Sequence, residues 1–299
     1  MLEVNSLSLN LGDKLILDDI NFTLKKSTIL GLVGPSGVGK TSLIRTLVGI
    51  YEGTKGEVLL NGKSIYDNAE AKKKLAYVPD EHNSFYLITI KEIVNYYKSI
   101  YDNFDEHKFN EINRIFKIPI DKRFFQLSKG MKVRVNLMIS LSLKSEFLVL
   151  DEPTSGLDPI LKEKVLKLIM KEVSEEGKGV IISSHNLIEL ERLCDDIIML
   201  DEGKIAYHNS LEGIKKNIKK IQVAFDMPVY KEDLSIIDGI FSISQIGRVF
   251  TIVTDKYNKD FKKHLNKFEP LFIEEIDLSL EEVFIHKLEK EDDYEKIFK

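Results

Sequence analysis

A single cysteine, Cys194, leaves the chain without an internal disulfide, and one thiol cannot make a cysteine-based metal site. It falls in a helical pattern and reads as a core residue rather than a nucleophile. No apolar run approaches the roughly 20 residues that span a bilayer. The start, Met1-Leu2-Glu3-Val4-Asn5, lacks a basic segment followed by a long apolar one, which predicts no signal peptide. Positive charge is not in excess: 43 Lys and Arg against 48 Asp and Glu give a net charge of −5, which argues against a nucleic-acid binder held by bulk electrostatics. Short basic runs such as Lys72-Lys73-Lys74 read as solvated faces. There is no internal repeat and no low-complexity linker. These absences predict a cytoplasmic protein whose membrane role, if it has one, runs through a partner.

What is present is ordinary globular material, 43% hydrophobic and 30% charged over 299 residues, enough for one large core and a smaller appendage. Residues 1–215 alternate short apolar strands with helical patterns, which predicts an α/β domain around a sheet with a parallel core. Strands are expected at Leu2–Leu9, Asp19–Leu24, Phe147–Leu150, Gly179–Ser183 and Ile197–Leu200, with a hairpin at Asn61-Gly62. Between 84 and 145 the pattern turns helical, opened by the capping box Thr89-x-x-Glu92. Residues 221–299 order as β-α-β-β-α-β, which predicts a small α+β, ferredoxin-like unit, then a helix at Ser279–Leu288 and a frayed charged tail.

Two motifs carry chemistry on their own. Gly34-Pro35-Ser36-Gly37-Val38-Gly39-Lys40-Thr41 has the spacing G-x-x-x-x-G-K-[ST] of a phosphate-binding loop, set between a buried strand and a helix that begins near Ser42. Its glycines let several backbone N–H groups converge on one anion, Lys40 reaches the β- and γ-phosphates, and the Thr41 hydroxyl suits Mg²⁺. A nucleoside triphosphate is the implied ligand. Phe147-Leu148-Val149-Leu150-Asp151-Glu152 reads as a buried strand ending in two carboxylates at the sheet edge where ligands bind. Asp151 there suits Mg²⁺, and Glu152 suits an attacking water.

Leu127-Ser128-Lys129-Gly130-Met131 resembles the LSGGQ signature of ABC-type ATPases, with Arg134 where that family usually has arginine. Ser155-Gly156-Leu157-Asp158 is similar to the family's D-loop and Ser183-Ser184-His185 to its switch histidine, in the family's order. The resemblance spans roughly residues 1–215 and implies a P-loop NTPase of ABC type, with a mixed sheet core and a helical signature subdomain. It further implies ATP as substrate, and a site completed when Ser128, Lys129 and Gly130 of one subunit face the γ-phosphate on another, in a homodimer or related heterodimer. Asp158 would then contact the partner, although Asp158-Pro159 is also a favoured helix start. His185 would sense the γ-phosphate; Asn186-x-x-Glu189 after it resembles another capping box.

Three positions depart from that pattern. Asp80 stands where the family most often has the Q-loop glutamine, and it can still meet Mg²⁺ or its water. Leu11 stands where an aromatic usually stacks on adenine, which weakens base selectivity. Lys129 and Met131 replace Gly and Gln, the lysine adding charge near the phosphates. The expected role is to power a separate transmembrane permease from the cytoplasmic face of the membrane, docked by a groove beside Asp80 to Thr89. The ending Glu274–Ile285 resembles ABC-2-type exporter ATPases. The alternatives are a soluble ATPase acting on ribosomes or DNA, which the acidic balance and single nucleotide domain oppose, and a weakly hydrolysing dimerisation switch.

Overall fold

A computed structural model describes residues 1–80 and 85–288, with side chains to Ile285; the expected tail at 289–299 lies outside the described residues, as does position 84, where the helical stretch was to begin. Contacts divide the chain into two units, Met1–His208 and Asn209–Lys299.

The first unit holds two sheets. β1 (Leu2–Leu11) and β2 (Lys14–Leu24) form a hairpin around Gly12-Asp13, where Gly12 takes φ +60°. The sequence places the second strand's start at Asp19, but it begins at Lys14. Bulges explain the difference: the register slips between Val4 and Asn10, and Asp19 adopts φ +52° with its N–H donated to Ser8 Oγ. The apolar alternation is therefore legible only beyond the bulge. β4 (Lys55–Leu60) pairs with β1 and turns through Asn61-Gly62, both at positive φ, into β5 (Lys63–Ser64).

The second sheet runs β10-β9-β3-β8-β7-β6, from β3 (Ile29–Val33), β6 (Leu75–Val78), β7 (Phe147–Asp151), β8 (Gly179–Ser183), β9 (Asp196–Asp201) and β10 (Lys204–Ser210). Pairings from β9 through β6 are parallel. Every residue of β3, β7 and β8 is buried, which is why these strands read as unbroken apolar runs. β6 was not foreseen. It is a four-residue run between lysines and Pro79, too short to show a period. α1 (Lys40–Leu47) packs Leu43, Ile44 and Leu47 into the core shared with Leu2, Leu7, Ile20 and Phe147.

The short α2 (Ala69–Lys72) precedes β6, and the helical stretch supplies α3 (Ile90–Ile100), α4 (Glu106–Phe116) and α5 (Lys129–Leu141). Thr89 and Glu92 form the expected capping box of α3. α6 (Pro159–Ser174) and α7 (Leu187–Leu193) follow β7 and β8. A buried ion cluster ties α4 to this layer: Glu172 on α6 meets Lys178 at 2.7 Å and Lys108 at 2.6 Å, and Lys178 also donates to the Leu143 carbonyl.

Glu146, just before β7, gathers Lys26 at 2.7 Å, Asn61 at 3.1 Å and Lys74 at 3.1 Å. Lys26 above all, then Asn61 and Lys74, hold its carboxyl down to about 2 against the desolvation that opposes them. A depressed folded-state pKa adds stability above the unfolded value, and that stability is lost as pH falls through the folded one. Glu146→Gln should therefore lower the urea midpoint at pH 7, and the two proteins should converge as pH approaches about 2. A gap that persists there would show that charge is not the cause.

The second unit begins with α8 (Leu211–Asn217), capped by Ser210, and continues β11 (Lys219–Phe225), α9 (Lys231–Ser235), β12 (Ile240–Ile246), β13 (Val249–Thr254), α10 (Lys259–Asn266), β14 (Pro270–Ile276) and α11 (Leu280–Leu288). Its strands lie in the order β12-β13-β11-β14, each neighbour antiparallel. Ile221, Val223, Phe250, Ile252, Phe261 and Leu265 form its core. Ser279 and Glu282 exchange bonds at the head of α11, and Lys220 meets Glu282 at 2.6 Å.

Candidate functional site

Four neighbouring parallel strands, β3, β8, β7 and β6, deliver the site residues from their carboxyl ends, the edge where open α/β sheets hold ligands. After β3 the chain turns through Gly34, Gly37 and Gly39, all at positive φ. A side chain at Gly34 would place its Cβ 2.4 Å from the Leu200 carbonyl, so only glycine fits there. Gly39 is the N-cap of α1 and offers no side-chain acceptor, which leaves the first-turn N–H groups for an anion. Pro35 and Ser36 are exposed on the loop and Val38 packs on the core. Thr41 and Ser42 follow in the first turn of α1. Lys40 curls back on the loop, donating to the carbonyls of Gly34 at 2.7 Å and Pro35 at 2.9 Å. Burial pushes its pKa down, opposed by Glu152 and then Asp151, so both carboxylates act on this ammonium.

The acidic end is tightly specified. Ser183 at the end of β8 donates to Asp151 Oδ1 at 2.6 Å and accepts the Glu152 N–H at 3.1 Å. Asp151 is 3% exposed, and its other oxygen, Oδ2, is buried without a hydrogen-bond partner among the described residues. Such an orphaned carboxylate oxygen fits a cation. Glu152 adopts φ +51°, uncommon for a residue with a side chain, and its Oε2 lies 2.8 Å from His185 Nδ1. From the sequence Ser183 stands only as the first residue of Ser183-Ser184-His185, ahead of the switch histidine; its bonds to Asp151 and to the Glu152 N–H join strand ends distant in the chain, which spacing does not show.

Asp80 follows β6 and pairs with Lys129 at 3.4 Å. Two departures from the family pattern thus meet in one ion pair, and the lysine's charge is engaged within its own subunit. Ser128 caps α5 by accepting from the Met131 N–H, and Arg134 braces the turn through the carbonyls of Gly130 and Phe116. Gly130 sits against Gly156, whose carbonyl would be 2.9 Å from an added Cβ. Asp158 caps α6 through the N–H groups of Ile160 and Leu161. Among the described residues, Ser128, Gly130 and Asp158 make no hydrogen bond or ion pair to Lys40, Asp151, Glu152 or His185. Leu11 ends β1, 40% exposed.

A cavity of about 430 Å³ lies against β6, lined by Tyr77, Phe85, Tyr97, Tyr101 and Phe124, with Arg45 and Lys72 also on its wall. Tyr97 stacks on Tyr101 at 5.9 Å, and burial pushes Tyr77 and Tyr97 up to about 12. Among the described residues, no helix is long and apolar enough to cross a membrane.

Known proteins resemble the chain in sequence and in fold. The ABC transporter family matches over residues 17–155. The ABC transporter ATP-binding protein YtrB of Bacillus subtilis is 32% identical over 288 residues, 96% of this chain and 98% of its own length. The lantibiotic transport ATP-binding protein SrtF of Streptococcus pyogenes is 30% identical, covering 76% of this chain and 99% of its own. A solved ATP-binding subunit of an ABC transporter superposes with TM-score 0.67 at 25% identity, over 72% of this chain and 92% of that one.

Proposed function

This chain belongs to the ABC transporter ATP-binding proteins and is an ATPase, and we propose that its hydrolysis drives a separate permease that exports its cargo across the membrane. The observation that carries the chemistry is the orphaned Asp151 Oδ2 beside the Glu152–His185 bond, at the edge where Lys40 also lies. ATP enters the cradle of residues 34–42, and Lys40 exchanges the Gly34 and Pro35 carbonyls for phosphate oxygens. Thr41, Asp151 and, once released by Lys129, Asp80 would hold Mg²⁺, which would supply positive charge to offset that of the phosphates. Glu152 orients and deprotonates the attacking water, and His185, held by Glu152, faces the γ-phosphate. Leu11 gives the base apolar contact without stacking.

The reaction then needs a second nucleotide-binding subunit, whose Ser128, Lys129 and Gly130 close the site and whose Asp158 crosses the interface. Among the described residues Ser128, Gly130 and Asp158 make no bond to Lys40, Asp151, Glu152 or His185 of their own chain, which supports action in trans. The second unit, with strand order β14-β11-β13-β12, is read as ferredoxin-like. The aromatic cavity suits an amphipathic helix of the permease, with apolar side chains on the tyrosines and a carboxylate toward Arg45 and Lys72. Export is supported by the lantibiotic transport relative. Tyr101→Asp should abolish co-purification with a multi-spanning membrane protein from solubilised membranes, with turnover of the free subunit retained. Undiminished co-purification would move the docking face elsewhere.

A further inference from the structure

Glu189 presents the pattern of a capping box with Asn186 but does not act as one. The Asn186 side chain does cap α7 by accepting the Glu189 N–H. The return bond is missing, because the Asn186 N–H donates to Ser184 Oγ instead, at 3.0 Å. Glu189 is free to turn inward, and its side chain is 9% exposed. There its Oε2 accepts from Thr154 Oγ1 at 2.6 Å, and its Oε1 takes Lys162 at 3.0 Å and Asn186 Nδ2 at 2.9 Å. A buried carboxylate is costly unless fully partnered, and a seven-residue helix needs none to pack. Three donors from three segments converge on this one group.

Those segments are the chemical ones. Thr154 lies two residues beyond Glu152, Lys162 is in the first turns of the helix that Asp158 caps, and Asn186 follows His185. The strand ends are already tied by Ser183 to Asp151 and to the Glu152 N–H. Beyond them, the Glu152–His185 bond is exposed on the histidine side, the His185 side chain being 76% accessible. An exposed ring does not hold its own place. Its backbone runs directly into α7, and α7 is tied to the Glu152 segment by the Thr154–Glu189 bond.

We propose that Glu189 is a positioning residue for hydrolysis: through Thr154 and Lys162 it sets where α7 lies and thereby aims His185 at Glu152 and the γ-phosphate. The proposal rests on the ATPase reading and adds to it a dependence of the chemical step on a carboxylate that touches no substrate. A displacement of about 1 Å in such a group lowers turnover by one to two orders of magnitude without altering nucleotide affinity.

The test is a double-mutant cycle between Thr154→Val, which swaps the hydroxyl for a methyl, and Glu189→Ala, with Glu189→Gln as the conservative variant. Steady-state turnover gives kcat, and a fluorescent ATP analogue gives nucleotide Kd. Each single variant should lose roughly tenfold or more in kcat with Kd within about twofold, the double should be no worse than Glu189→Ala, and Gln should recover part of the loss. Because Thr154→Val is nearly isosteric, it keeps the question answerable if Glu189→Ala fails to fold. Unchanged kcat in Thr154→Val and Glu189→Gln, losses that multiply in the double, or a loss seen only in Kd would each overturn the proposal. A wild type without turnover sinks the ATPase reading, and this one with it.

Discussion

Glu152→Gln is expected to lose at least about a hundredfold in ATP turnover while still binding ATP. Glutamine fills the same volume and can still hydrogen-bond His185, so the arrangement at the end of β7 survives while the base is gone. The backbone at this position is held in its left-handed conformation by bonds to Ser183, through both its hydroxyl and its carbonyl, and glutamine makes the same bonds. Binding depends on the cradle and Lys40, which the substitution does not touch. With hydrolysis blocked, size exclusion in Mg-ATP should show a persistent dimer that the wild type forms only transiently. Turnover near the wild-type rate would mean that another group activates water, and Glu152 would then be only a brace for His185.

The largest expected effect on stability is far from that edge. Glu172→Leu should cost about 3–5 kcal/mol in urea unfolding. Glu172 is 2% and Lys178 4% exposed, so removing the carboxylate strands a buried ammonium with only the Leu143 carbonyl. Lys108 fares better, since Glu176 lies 3.9 Å away and nearer solvent. The double variant Glu172→Leu/Lys178→Met removes both buried charges and should recover most of the loss, because a matched apolar pair in such a place is often as stable as the ion pair. A single variant costing under about 1 kcal/mol would show that water reaches the site and the cluster is not truly desolvated.

How much of this was legible in the sequence depends on how far each feature reaches along the chain. The phosphate loop and the strand ending in Asp151-Glu152 are local: a glycine spacing and an apolar run fix each within a dozen residues, and the structure puts them on one edge. Thr89 with Glu92, and Asn61 with Gly62, were readable for the same reason. β6 was not, since four residues carry no period. The pairing of Asp80 with Lys129 was invisible because it joins two segments whose proximity only the fold decides. Asn186-x-x-Glu189 was half readable: Asn186 does cap α7 through the Glu189 N–H, but Ser184 takes the Asn186 N–H and the glutamate side chain turns elsewhere. Local chemistry was thus readable and long-range pairing was not.

Cys194 closes α7 against β3, with its sulfur lying 2.9 Å from where a side chain on Gly31 would begin. Burial pushes its thiol pKa up, so the folded protein presents no reactive sulfur. The chain is therefore its own blank background for probe chemistry. A cysteine placed on any outer surface would carry a label alone, and its surroundings could be followed through the nucleotide cycle without first stripping the sequence. The native thiol serves as a clock: buried where the end of α7 meets β3, it reacts only when that packing opens, so its alkylation rate counts openings between this helix and the central strand.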